Sequence, residues 1–108
     1  MKEIPIKVFA RQSLSVMLEQ SLYEISLKEC NGLMAATIIR DGVTIVSNRR
    51  VCAGMTIIPE GHLELGNFVI LTDNGEIPYY TGFESSNILV YLTIEEVESL
   101  RLREVTNV

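Results

Sequence analysis

Tryptophan is absent from this 108-residue chain, histidine occurs once, at His62, and cysteine twice, at Cys30 and Cys52. A lone histidine leaves too few imidazoles for the usual zinc sites, which draw three or four matched ligands from a chain. Met1-Lys2-Glu3-Ile4-Pro5 shows no signal-peptide pattern, so the chain is expected in a cytosol-like compartment. The two cysteines are then expected to be reduced and to act as small buried hydrophobes, not as a disulfide framework. Positive charge is scarce too: nine Lys and Arg stand against fourteen Asp and Glu, for a net charge of −5, and Arg49-Arg50 is the one adjacent basic pair. That distribution lacks the basic stripe of a nucleic-acid-binding surface. Uncharged runs such as Asn31 to Ile39 fall far short of the roughly 18–20 residues that a membrane span needs. Neither nucleic acid nor membrane is therefore expected as a partner.

What is present is an ordinary folding composition, 47% hydrophobic and 21% charged. A chain of this length makes one domain, residues 1–108, and buries roughly 60–70% of the surface its unfolded form exposes. Mean hydropathy of +0.25 lies on the apolar side. In so small a protein, apolar surface beyond what one core absorbs is expected to end in a subunit interface, because monomers seldom expose large apolar patches.

The apolar residues follow a period of two. Ile4, Ile6 and Val8 alternate with polar neighbours, and Leu14, Val16 and Leu18 resume the pattern, as in half-buried strands. Glu19-Gln20-Ser21 is a polar turn leading to a strand over Leu22–Lys28, where Leu22, Ile25 and Leu27 share a face and Tyr23 breaks the alternation, as at a bulge. Asn31-Gly32 and Asp41-Gly42 flank the apolar run Leu33–Arg40 with hairpin-turn chemistry, and Val43-Thr44-Ile45-Val46 continues the meander. Pro59, Gly61 and Gly66 mark Gly54 to Gly66 as a loop. Asn67–Thr72 and Ile88–Leu92 read as strong apolar strands, separated by Asp73-Asn74-Gly75 and a loop over Tyr79 to Ser86. Thr93 and Glu96 have capping-box spacing, and Val97, Leu100 and Leu102 give partial helical periodicity, which predicts one or two helical turns. The expected fold is all-β, a small antiparallel barrel or sandwich of about seven strands with a short C-terminal helix.

No constellation of catalytic, cofactor-binding or metal-binding type emerges. Glu60, His62 and Glu64 have no recognised ligand spacing. Gly54, Gly61 and Gly66 are too far apart to cradle a phosphate. A Cys52–His62 pair could in principle serve a cysteine hydrolase, although no local signature accompanies it. Tyr79, Tyr80 and Phe83 stand out as candidate protein–protein contacts, since loop aromatics supply large contact area at low entropic cost. The same three rings could instead grip a saccharide in a ligand-binding β-barrel.

Glu3-Ile4-Pro5-Ile6, Gln12-Ser13-Leu14-Ser15-Val16, Tyr23-Glu24-Ile25-Ser26-Leu27, Arg40-Asp41-Gly42-Val43, Leu63-Glu64-Leu65-Gly66-Asn67-Phe68-Val69-Ile70-Leu71, Pro78-Tyr79-Tyr80 and Leu89-Val90-Tyr91-Leu92-Thr93 together, in this order and spacing, resemble the phage baseplate plug family. The similarity runs from about Glu3 to Glu96. One departure lies at Leu33-Met34-Ala35, where the family tends to carry an aromatic. The resemblance implies a non-enzymatic structural subunit of the tail baseplate of a contractile-tailed phage or prophage, near the central hub and spike where the tail tube ends. It further implies several copies around the tail axis, contacts with hub, spike and tail-tube proteins, and a virion location after assembly in the bacterial cytoplasm.

Overall fold

Three two-residue turns organise the first half of the chain. Glu19-Gln20, Asn31-Gly32 and Asp41-Gly42 hold both residues at positive φ (49° and 70°, 53° and 81°, 49° and 83°). This is the backbone sense of type I′ hairpins, whose twist matches that of antiparallel strands. The element order is β1 (Lys2–Ile4), β2 (Arg11–Leu18), β3 (Ser21–Cys30), β4 (Leu33–Arg40), β5 (Val43–Arg50), β6 (Gly66–Thr72), β7 (Asn87–Thr93) and α1 (Ile94–Thr106). The computed structural model describes residues 1–61 and 64–106, with side chains to residue 102. Strands β2-β3-β4-β5 form a four-stranded meander, and β1-β7-β6 form a second, three-stranded sheet; all pairings are antiparallel. The two sheets do not close into a barrel. The fold is a sandwich, with the helix as a third layer.

One core fills the space between the sheets. Tyr23, Ile25 and Leu27 of β3 and Met34, Ala36 and Ile38 of β4 pack with Phe68 and Ile70 of β6 and Leu89 and Tyr91 of β7. At its centre Tyr23 meets Phe68 edge-on (centroids 5.3 Å apart, planes at 74°), and Tyr91 lies 5.2 Å from Phe68 and 5.8 Å from Tyr23. Such ring contacts add about 0.5–1.5 kcal/mol each beyond the area they bury. Tyr23 therefore continues the inward alternation, and Leu22 is the residue that turns to solvent. No bulge interrupts β3 here, since its register with β2 runs unbroken from Leu18↔Ser21 to Arg11↔Lys28. The irregularity lies in β5, whose register with β4 slips between Ala36 and Ile38 and again before Ile39. Asn48 stands there at φ 49°, and its N–H donates to Thr37 Oγ1 at 3.0 Å.

The opposite face of the three-stranded sheet carries Val69, Val90 and Leu92, covered by Val97 and the half-buried Ile94 and Leu100 of α1. Burial on both faces explains why β6 and β7 read as continuous apolar runs while β2 and β3 alternate. The helix begins with the expected capping box: Glu96 N–H donates to Thr93 Oγ1 at 3.3 Å, and Thr93 N–H to Glu96 Oε1 at 3.0 Å. It runs 13 residues, longer than the one or two turns expected. A helix of this length is marginal alone, so its apolar contact with the sheet extends it. Leu102, counted in the helical periodicity, is exposed. The expected strand over Ile4–Val8 is also replaced. Only Lys2–Ile4 pairs, and it does so with β7 in the second sheet; Pro5 then lets the chain cross to β2, while the Gln12 amide holds the Lys7 backbone N–H (2.9 Å) and C=O (2.6 Å).

Buried polar groups tie the layers together. Asn67 Oδ1 accepts from Ile58 and Phe68 N–H, both at 2.8 Å, and its Nδ2 donates to the Ile58 carbonyl at 2.7 Å and to Glu64. Glu64 in turn receives a two-pronged bond from Arg101 of α1, at 2.7 and 2.8 Å. The Tyr91 hydroxyl donates to Glu19 at the β2–β3 turn, 2.7 Å away, linking the two sheets. Its ring leaves no room above Gly66, where a Cβ would lie 2.0 Å from the hydroxyl oxygen and 2.5 Å from Cζ.

Gly66→Ala is expected to cost about 1–3 kcal/mol in urea unfolding. Tyr91→Phe should not rescue it, because the ring carbon still clashes. Burial raises the Tyr91 hydroxyl above the ordinary tyrosine value, and its bond to Glu19 adds to the shift. The folded state thus disfavours the tyrosinate. This contribution is complete below about pH 10, the unfolded value, and fades as pH rises through the folded one. Urea midpoints measured against pH should fall above about pH 10, and fall less steeply in Tyr91→Phe.

Candidate functional site

The loop between β6 and β7 carries the aromatics expected to make contacts, and one buried residue shapes it. Asn87, at the start of β7, accepts the Tyr79 N–H at 2.9 Å and donates to Glu76 Oε1 at 2.9 Å and Ser86 Oγ at 3.0 Å. Around it the chain closes a 3-10 turn over Tyr80–Gly82, with Gly82 N–H bonded to the Tyr79 carbonyl at 3.0 Å and Phe83 N–H to that of Tyr80 at 3.1 Å. The close approach requires Gly82, because a Cβ there would sit 2.6 Å from Asn87 Nδ2.

This turn drives Phe83 into the main core, where it is 1% exposed. Phe83 is thus corrected from a contact residue to a core residue: the tight turn aims its ring inward, and the loop is anchored by it. Tyr79 and Tyr80 are half-buried, their rings 4.8 Å apart and inclined at 44°. The Tyr79 hydroxyl donates to Glu29 of β3 at 3.2 Å, fastening the loop to the other sheet. Burial raises the Tyr79 hydroxyl above the usual tyrosine value, and Glu29 raises it further. The three-ring platform becomes a pair of half-covered rings, one with its hydroxyl already engaged.

The exposed aromatic among the described residues is Phe9, 59% exposed, which sequence reasoning passed over. A signal was present. Val8 and Phe9 are adjacent large apolar residues, which a half-buried strand cannot both bury; the chain bends here instead, and Val8 is 45% exposed as well. The alternation of Ile4, Ile6 and Val8 concealed it.

The cysteines are unpaired. Cys30 is exposed at the end of β3, correcting its expected burial, and Cys52 is partly buried after β5. Position 30 falls beside a hairpin turn, where there is no opposing layer to cover it. His62 lies outside the described residues, and with it the Cys52–His62 pair and the Glu60–His62–Glu64 grouping. Glu64 uses both carboxylate oxygens on Arg101. Among the described residues, no three His, Cys, Asp or Glu side chains stand close enough to hold a metal ion, and no helix is long and apolar enough to cross a membrane.

No protein-family model matches the chain, and neither does any curated protein compared with it. Several large apolar side chains are left outside the core. Phe9, Met17, Val43, Met55, Leu65 and Ile77 are each more than half exposed (55–62%).

Phe83→Ala should lower stability by about 3–5 kcal/mol, as expected of a buried ring. Tyr80→Ala should cost clearly less in the same urea titration.

Proposed function

We propose that this chain is a non-enzymatic structural subunit of the tail baseplate of a contractile-tailed phage or prophage. In this reading it packs near the central hub and spike at the end of the tail tube, in several copies around the tail axis. The observation that carries it is the surplus of exposed apolar residues on a core that is complete without them. Phe9 precedes β2, Met17 lies within it, Val43 begins β5, Met55 and Leu65 lie between β5 and β6, and Ile77 lies between β6 and β7. Apolar groups spread over several sides suit a subunit with several neighbours better than a protein with one ligand pocket. The ordered resemblance from Glu3 to Glu96 supplies the identity of the assembly. The net charge of −5 agrees with a component that must not adhere to DNA passing through the tail.

Mass spectrometry of purified particles should recover the chain together with hub, spike and tail-tube proteins, and cryo-microscopy should place it at the tail tip. Recovery from the host cytosol alone, with none in the particles, would overturn the reading. Met55→Ser should leave the unfolding free energy within about 0.5 kcal/mol of wild type, as for an exposed position, while reducing incorporation into particles.

A further inference from the structure

A sandwich of two open sheets has four strand edges, each a template for unwanted pairing unless it is blunted. Three of them are. β1 is three residues long and carries Lys2 and Glu3. The free edge of β6 is covered by the preceding loop: Gly54 N–H reaches the Ile70 carbonyl at 3.0 Å, Ile57 N–H reaches that of Phe68 at 2.9 Å, and Asn67 takes both backbone groups of Ile58. β5 slips register twice and ends on Arg49-Arg50. β2 has none of these devices. Its eight residues pair with β3 without interruption, contain no proline, and include one charge, Arg11.

The phase of its free backbone follows from one bond. Glu29 N–H donates to the Ala10 carbonyl at 2.8 Å, so Ala10 faces β3 in a hydrogen-bonded pair. Alternate residues then do the same, and Arg11, Ser13, Ser15 and Met17 turn their N–H and C=O groups away from the sheet. The opposite assignment makes Arg11↔Lys28 a non-hydrogen-bonded pair, the kind that brings side chains closest. Two cations thus face each other on the outer face, and neither forms an ion pair among the described residues. Like charges directly opposite are destabilising, so the isolated subunit carries a local electrostatic defect at this edge.

We propose that two copies of this chain pair antiparallel through β2, about a two-fold axis at Ser13, joining their four-stranded sheets into one of eight strands. In this register Ser13 faces Ser13 of the second copy and Arg11 faces its Ser15. Ser15 is the cross-strand neighbour of Glu24 on the same outer face. Arg11 therefore reaches over a small serine toward the Glu24 carboxylate of the second copy, two strand spacings or about 9–10 Å away between backbones. The dyad repeats this contact, so each Arg11 that is repelled by its own Lys28 gains a carboxylate. Met17, near one end of this edge, and Phe9, just before its other end, are each 59% exposed, so the edge also carries uncovered apolar surface. No like charges meet. This self-matching of charge, size and hydrogen-bond phase in one symmetric register selects a second copy over a foreign strand. An edge contact of this kind is smaller than a standard interface of roughly 1,200–2,000 Å², so a weak, concentration-dependent dimer is expected. The inference is independent of the tail assignment.

Sedimentation of the purified full chain over a concentration series should show a monomer–dimer equilibrium. Ser13→Pro should abolish the dimer; the Ser13 N–H makes no bond to β3, so the urea midpoint should fall only slightly, through loss of the 2.9 Å bond between the Ser13 and Ser26 hydroxyls. Arg11→Glu should weaken the dimer roughly tenfold, through two lost attractions and two new repulsions. The same change should hold or raise the monomer's urea midpoint by placing an acid opposite Lys28, which separates lost association from lost folding. The double reversal Arg11→Glu with Glu24→Arg should restore association. A wild-type chain that stays monomeric at millimolar concentration, or a dimer indifferent to both Ser13→Pro and Arg11→Glu, would overturn the proposal. Either result leaves the particle analysis of the tail reading unaffected, and the converse also holds.

Discussion

A sheet covered on both faces has no water to solvate a stray polar group, and the β6–β7 hairpin is in that position, with the main core on one side and α1 on the other. Each polar side chain drawn into it must be satisfied within the protein. The fold meets this demand with two fully buried asparagines at opposite ends of the hairpin. Asn67 on β6 pairs with the backbone of Ile58 and with Glu64, and Asn87 on β7 pairs with Tyr79 and Glu76. The two longest connections between strands, β5 to β6 and β6 to β7, are each shaped by one of these amides. No described buried side-chain nitrogen or oxygen is left without a partner. Irregular backbone here is positioned from inside the sheet.

Much of the fold is legible in the sequence where local chemistry dictates geometry. Asn31-Gly32 and Asp41-Gly42 need positive φ, and Thr93 with Glu96 needs a helix start; each of these local signals agrees with its structure. Legibility ends where packing decides. Tyr23 has both an apolar ring and a polar tip, and pattern alone does not say which governs; here the ring goes inward because Phe68 and Tyr91 receive it. β1 is too short to display a period, and it pairs with a strand 85 or more positions away. The length of α1 depends on an apolar sheet face that only the assembled sheet provides.

The same division applies to the contact residues. Phe83 and Phe9 have equal contact potential by composition, and it is the fold that separates them. A 3-10 turn enforced by Gly82 and Asn87 sends Phe83 into the core, whereas the crossover after Pro5 leaves Phe9 in solvent beside the unprotected edge of β2. Surface suited to association is thus separated from the residues that hold the sandwich together. Substitutions at the one should leave the other nearly untouched, as expected for distant sites.

The outer apolar cluster beneath α1 is distinct from the sandwich interior, and the helix is held by a few aliphatic side chains, the Arg101–Glu64 clamp and the ion pair of the Met1 amine with Glu96. Cooperativity is accordingly divided in two. The helix is expected to open as a small unit ahead of the interior, uncovering Val69, Val90 and Leu92. Amides of the last turns should therefore exchange with solvent far sooner than those of β3 and β7, making this terminus the molecule's seam.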